Sequence, residues 1–206
     1  MKKSFVVVLA ALCVAALVPQ ALQAGVGLKG GLSLSKFQLT STEPPDFAFG
    51  NLRYFVGGLS LGLNLGIVSI QPEVLYTRMG ARYAVDPDFL EYRFDYIQVP
   101  VMLRINVIPA GPVRPFICGG GYGSYLIKAT GVMESGGVRD EQDLADTFQK
   151  YDYGVVGGAG LAFHLPGITL TAEGRYNLGL MNILKDPSVG ESVKNRSIMA
   201  LVGIGF

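Results

Sequence analysis

Between residue 25 and the C-terminus, side chains alternate aliphatic with small or polar in segments of roughly ten residues. A period of two belongs to strands, because successive side chains point to opposite faces of a sheet. The last segment puts Ile198, Ala200, Val202, Ile204 and Phe206 on one face and Ser197, Met199, Gly203 and Gly205 on the other. The first sets Val26, Leu28, Leu32 and Leu34 against Gly27, Lys29, Gly31, Ser33 and Ser35. Further segments set Phe55, Leu59, Leu61, Leu63 and Leu65 against Gly58, Ser60, Gly62 and Asn64, and Val68, Ile70, Val74 and Tyr76 against Ser69, Gln71, Glu73 and Thr77. Ile97, Val99, Val101, Leu103, Ile105 and Val107 oppose Gln98, Met102, Arg104 and Asn106, and Ile168, Leu170, Ala172, Tyr176 and Leu178 oppose Thr169, Thr171, Glu173, Arg175 and Asn177. Segments at 115–128 and 151–164 are glycine-rich, and their facing is open.

A soluble sandwich alternates in the same way, so the medium that the aliphatic face meets must come from elsewhere. Charged residues are 16% of the chain, against roughly 25% in an average soluble domain. A chain of 206 residues is too short to bury 50% hydrophobic residues in one large core. The gaps between segments fall near 38–52, 66, 84–91, 108–114, 130–149, 165–167 and 181–195, alternating long and short. Transmembrane barrels show this asymmetry, with short periplasmic turns and long external loops. All ten tyrosines lie toward the long-loop ends, while Phe116, Phe163 and Phe206 lie toward the short-turn ends. Headgroups sort amphipathic rings in this manner, so Tyr54, Tyr76, Tyr96, Tyr125, Tyr153 and Tyr176 are expected at the membrane interface. The expected fold is all-β, a closed antiparallel up-and-down transmembrane barrel of about eight strands.

The N-terminus reads as an export signal. Lys2 and Lys3 precede an apolar stretch at 5–18, short for a spanning helix. Cleavage after Ala24 divides the chain into a signal peptide at 1–24 and a barrel domain at 25–206; cleavage after Ala21 is the alternative. Leu12 before Cys13 does not suit a lipoprotein signal. The mature chain then keeps Cys118 alone and has no internal disulfide. A formal net charge of +1 offers no basic patch for nucleic acid.

Several short motifs, in order, resemble the PorT-type "porin family" of outer-membrane barrels found in Bacteroidetes. They are Gly27-Leu28-Lys29-Gly30-Gly31-Leu32-Ser33 with Phe37, and Ser69-Ile70-Gln71-Pro72-Glu73-Val74-Leu75-Tyr76. They continue with Tyr96-Ile97-Gln98-Val99-Pro100-Val101-Met102-Leu103-Arg104, Glu173-Gly174-Arg175-Tyr176-Asn177-Leu178-Gly179-Leu180 with Asn182, and Gly203-Ile204-Gly205-Phe206. The resemblance implies an eight-stranded barrel in the cell outer membrane of a Gram-negative bacterium, and not transport. One namesake belongs to a secretion system. The end of the chain, Val202, Ile204 and Phe206, resembles the signal that the barrel-assembly machinery reads. Expected partners are outer-membrane lipids and lipopolysaccharide, that machinery during biogenesis, and an envelope protein.

Charges on the polar face would point into a lumen just wide enough for side chains, where each must be paired. Glu73 and Arg104 are symmetric about residues 88–89 and are expected to pair, in a structural network with Glu173, Arg175 and Lys29. Asp140, Glu141, Asp143 and Asp146 lack the spacing of a calcium loop and read as a solvated, partly helical surface loop, so no metal is expected. Gly119-Gly120-Gly121 and Gly157-Gly158 have no βαβ context for nucleotide binding, and no cofactor is expected. His164, the single histidine, sits beside a short turn, on the wrong side for a Ser–His hydrolase of the outer leaflet. The function expected is a non-enzymatic structural or interaction barrel whose loops at 38–52, 130–149 and 181–195 meet partners. The alternatives are a component of a secretion or envelope-assembly complex and, below that, a narrow solute pore.

Overall fold

The computed structural model describes residues 23–40, 52–85, 88–136, 138–185 and 192–206. The expected signal peptide therefore lies almost wholly outside the described residues, as do the middles of the loops at 38–52 and 181–195. The strands are β1 (Gln23–Thr40), β2 (Leu52–Leu65), β3 (Val68–Val85), β4 (Asp88–Asn106), β5 (Val113–Ser135), β6 (Val138–Asp143), β7 (Tyr151–Leu165), β8 (Ile168–Gly179) and β9 (Ser192–Gly205). Every neighbouring pair is antiparallel. The order β4-β3-β2-β1-β9-β8-β7-β5, closed by β4–β5 pairing, makes an eight-stranded barrel. β6 stands outside this cycle, paired only with the upper end of β5.

Closure follows from the solvent. Lipid cannot bond to free backbone amides, so a spanning sheet must have no edge. The seam is the β1–β9 ladder, which runs from Gly27 opposite Gly205 to Thr40 opposite Ser192. At one end the connections are short. Leu65 pairs with Val68 around Gly66 (φ +83°), and Leu165 pairs with Ile168 around Gly167 (φ +81°). A positive φ in so tight a turn favours glycine.

The outer surface is a belt of aliphatic side chains, including Val26, Leu28, Leu32 and Leu34 on β1 and Val99, Val101, Leu103 and Ile105 on β4, all exposed. An apolar surface this continuous fits lipid and not water. Inner-face residues alternate with these and are buried. The glycine-rich strands now have a facing. On β5, Phe116, Tyr122, Ser124 and Leu126 turn inward and Ile117, Gly121, Gly123, Tyr125 and Ile127 outward.

Two connections differ from expectation. The gap at 84–91 is mostly strand, with Val85 already paired to Asp88. None of the described residues in the stretch at 130–149 is helical. β5 continues to Ser135, turns at Gly136 (φ +59°) and returns as β6. Val132 and Ala129 have buried places against the barrel top, which favours extended chain.

Strand crowding gives a test. A β-carbon at Gly120, on the inner face, would fall 2.0 Å from the Val101 carbonyl oxygen, whereas one at Gly123, on the outer face, would meet nothing within 4 Å. Gly120→Ala is expected to destabilise the folded barrel by about 2 kcal/mol, a typical overpacking cost. Gly123→Ala is expected to be near neutral. Heat-modifiability gels of the two variants in detergent check the contrast.

Candidate functional site: a layered lumen

The lumen is stacked in layers whose chemistry changes along the barrel axis. Its centre is a closed ring of alternating charge. Glu73 on β3 accepts from Arg175 on β8 through both carboxylate oxygens, at 2.6 and 2.7 Å. Lys29 on β1 donates to Glu73 and to Glu173, both at 2.8 Å. The Arg175 Nε closes the ring onto Glu173. Each cation thus touches both anions, and the four formal charges sum to zero. Gln71 Nε2 donates to Glu73 at 2.6 Å, and the Cys118 thiol donates to Glu173 at 3.2 Å. All four charged side chains are at least 95% shielded from solvent. Charges this deep are tolerable only when they are paired and hydrogen-bonded, and here each of the four bonds two or more partners.

Period-two geometry builds the ring. Glu173 and Arg175 are two apart on one strand, so both point inward. Lys29 and Glu73 arrive from neighbouring parts of the wall with the same parity.

Arg104 is not part of this ring, and the expected Glu73–Arg104 pair does not form. The β3–β4 register sets Arg104 opposite Ser69, whereas Glu73 falls opposite Pro100, four residues away. The reason is the hairpin's mirror point, which lies between residues 86 and 87 and not at 88–89. Four residues of strand set the two backbone positions roughly 13 Å apart along the wall, and Glu73 is paired with Lys29 and Arg175 instead. The Arg104 guanidinium lies over the Phe116 ring instead, 3.6 Å from its centroid.

Above the ring, toward the long loops, a belt of amides and hydroxyls crosses the lumen. Gln98 donates to Ser124 at 3.4 Å, and Asn195 donates to Asp152 at 2.9 Å and to Tyr96 at 3.4 Å. Among these and their neighbours, Met102, Val156, Leu75, Met199 and Leu201 fill the remaining width.

The outer mouth is closed by an apolar plug. Phe148 from the β6–β7 connection and Ile183 from the β8–β9 connection are buried against Met79, Phe94, Leu126 and Ala129. The Phe148 and Phe94 rings meet edge to face, with centroids 4.6 Å apart. The two loops are stitched together by a bridge between Phe148 and Leu184, by the Gln149 amide on the Ile183 carbonyl at 2.8 Å, and by Lys185 Nζ on the Asp146 carbonyl at 2.7 Å. The Asn182 side-chain oxygen accepts from Leu184 at 3.2 Å and Val193 at 3.0 Å, fixing the turn of the inserted loop. The Asp140–Asp146 acids are exposed. Glu141 accepts from Arg139, and Asp143 accepts from the Ala145 amide.

Below the ring, toward the short turns, the lumen opens as a polar cavity of about 670 Å³. Arg104, Arg114, Asn106 and His164 line it, with Thr169, Thr171 and the end of the chain at Phe206. His164, opposite Thr169, is at the short-turn end.

The aromatic assignments divide. Tyr76, Tyr125, Tyr153 and Tyr176 face outward at the long-loop end of the belt, joined by Tyr151, whose ring meets Tyr125 at 5.4 Å. Tyr54 and Tyr96 do not. Tyr54 turns inward and donates to Glu91 at 2.9 Å, and Tyr96 is 0% exposed in the lumen. Both have the parity of inward residues on their strands, Val56 for one and Gln98 for the other. Phe116 is likewise inward, while Phe163, Val202 and Phe206 face out, and Ile204 is half-buried.

Sequence reasoning missed Asp152, Asn195 and the plug residues Phe148 and Ile183. Asp152 has a signal, because it alternates with the outward Tyr151 and Tyr153. The plug has none, because loop residues carry no facing period.

If the ring holds the wall together, Glu73→Gln should cost on the order of 3 kcal/mol, the usual scale for unpairing a buried ion. Arg104→Gln should cost less than about 1 kcal/mol, as a cation outside the ring. Urea titration of the folded and unfolded bands in detergent compares the two; equal losses would contradict the ring.

The sequence profile described as "Outer membrane protein beta-barrel domain" matches residues 19–185. No curated protein matches the sequence significantly. Among solved structures, Neisserial surface protein A (NspA) superposes with a TM-score of 0.49 at 17% identity, over 89% of this chain and 97% of that one. Ail, the attachment invasion locus protein of Yersinia pestis, gives 0.43 at 15% identity over 89% and 99%. The N-terminal β-barrel domain of Pseudomonas aeruginosa OprF gives 0.45 at 14% identity over 90% and 99%.

Proposed function

The chain belongs to the outer membrane protein β-barrel domain family, and from this we propose that it is a non-enzymatic, non-conducting barrel that acts through its outer loops. Its place is the cell outer membrane, with the short turns on the periplasmic side. The observation that carries the reading is the doubly blocked lumen. A pore needs a continuous aqueous path, but the Lys29–Glu73–Arg175–Glu173 ring spans the middle and the Phe148–Ile183 plug fills the top. An eight-stranded barrel has no width to spare around such obstacles.

With transport set aside, the surfaces that remain are the lipid belt and the outer loops. The belt would contact outer-membrane lipids and, at its upper edge, lipopolysaccharide. The loop surface is built on the long β4–β5 wall and the β5–β6 hairpin, which stand beyond the tyrosines. A rigid loop platform suits recognition of a partner, because little ordering entropy is lost on binding.

Biogenesis in this reading uses an N-terminal export segment removed at Ala24 and the terminal Val202, Ile204 and Phe206 as the assembly signal. The outward aromatic at Phe206 is available to such machinery. A second reading, a component of an envelope-assembly or secretion complex, rests on the PorT-type motifs, among them Glu173 to Asn182. That motif supplies two members of the charge ring and the Asn182 that pins the plug. Stable co-purification with other envelope proteins in mild detergent would favour the complex.

In planar bilayers the folded protein is expected to give no discrete current steps above the protein-free baseline. Reproducible stepwise conductance would refute the non-conducting barrel.

A further inference from the structure

We propose that the periplasmic half of the lumen is a blind binding pocket for a small, hydroxyl-bearing molecule carrying a phosphate or carboxylate. The proposal does not depend on what the outer loops contact.

The shape comes first. The cavity of about 670 Å³ ends at Lys29 and Gln71, the lower edge of the charge ring, and opens between the short turns, so whatever enters from the periplasm leaves the same way. That volume is in the range of small-molecule sites, roughly 300–1,000 Å³.

Charge comes next. The formally charged side chains lining the cavity are Lys29, Arg104 and Arg114; no Asp or Glu side chain lines it. Lys29 is engaged by both ring carboxylates. Among the described residues, Arg104 and Arg114 have no carboxylate within the 4 Å of an ion pair, the terminal carboxylate of Phe206 included. Two guanidinium groups at a narrow, half-buried mouth repel each other and attract anions.

Both groups are held rather than loose. The Arg104 guanidinium carbon lies 3.6 Å from the centroid of buried Phe116, a contact that anchors the head group. Arg114 Nε donates to the Gly111 carbonyl at 3.2 Å, leaving its terminal nitrogens for another acceptor. A fixed guanidinium fork is the natural partner of a carboxylate or phosphate.

The wall selects further. Asn106 Oδ1 and His164 Nδ1 are buried polar atoms with no hydrogen-bond partner within the protein. Such atoms are uncommon in folded proteins and mark where water or a ligand completes the bonding. Asn106 Oδ1 can only accept, so it calls for a donor such as a hydroxyl. Thr169 and Thr171 add hydroxyls to the same wall. An oxyanion for the arginines together with hydroxyls for the amide describes a sugar phosphate or sugar acid.

The test is isothermal titration calorimetry on the full barrel folded in detergent, using glucose 6-phosphate, glucuronate and uncharged glucose. Saturable binding of either anion, no binding of glucose, and weakening by added sodium chloride are expected. Arg104→Gln and Arg114→Gln should each lower affinity about tenfold or more, the loss of one charge-assisted pair. A heat-modifiability gel confirms that each variant is folded. Should a variant not fold, the salt series on the unaltered protein decides. The proposal is overturned if neither anion binds, if glucose binds as tightly as glucose 6-phosphate, if salt has no effect, or if the folded arginine variants bind like the parent.

Discussion

A backbone amide in hydrocarbon has nowhere to turn except another strand, and each part of this molecule answers to that constraint. It forces the sheet to close from Gly27 on Gly205 to Thr40 on Ser192. Closure with eight strands fixes the radius, and the radius fixes what the interior can be. No second sheet or helix is available to pack against, so the inner faces of the strands must fill the space from the wall inward. Bulky inward groups such as Tyr122, Phe116 and Met102 therefore sit beside the inward glycines Gly154, Gly160 and Gly120.

The same narrowness explains why the interior chemistry is sorted. Unpaired charge is intolerable at this depth, so the four ring residues form a self-contained set with a net charge of zero. The ring places no demand on the layers above and below it. The apolar plug can lie over the amide belt, and the arginine-lined cavity can open beneath. Polar groups in the middle would also penalise a slipped strand. Moving β8 by one residue turns Glu173 and Arg175 into lipid and leaves Lys29 and Glu73 alone in the lumen.

The sequence is most legible where one face differs from the other. Alternation of aliphatic with polar residues located six of the eight wall strands, β5 and β7 standing out only as glycine-rich segments, and the order of long and short gaps set the tight turns at one end. The membership of Lys29, Glu73, Glu173 and Arg175 in the inward set is visible from parity alone. Parity also bears on Tyr54 and Tyr96: each shares its period with inward residues, and only the headgroup argument drew them outward. What parity cannot supply is register. A gap read as 84–91 admits several mirror points, and moving the point by two residues carries Arg104 about four positions from Glu73. Glycine runs hide the facing of β5 and β7, because a residue without a side chain reports no preference. The plug is beyond reach for a related reason, since Phe148 and Ile183 become inward only once the barrel provides an inside.

The outward tyrosines crowd one rim, and this bears on how the protein sits when its bilayer changes. Tyr76, Tyr125, Tyr151, Tyr153 and Tyr176 moor the upper rim, while the lower rim offers Phe163 and Phe206, which carry no hydroxyl to hold at a fixed depth. A vessel tied at one end rises and falls at the other. Thinning or thickening of the membrane would be absorbed almost entirely on the periplasmic side. The upper loops would keep their height above the lipid, and the mouth of the lower cavity would be the part that shifts against its surroundings.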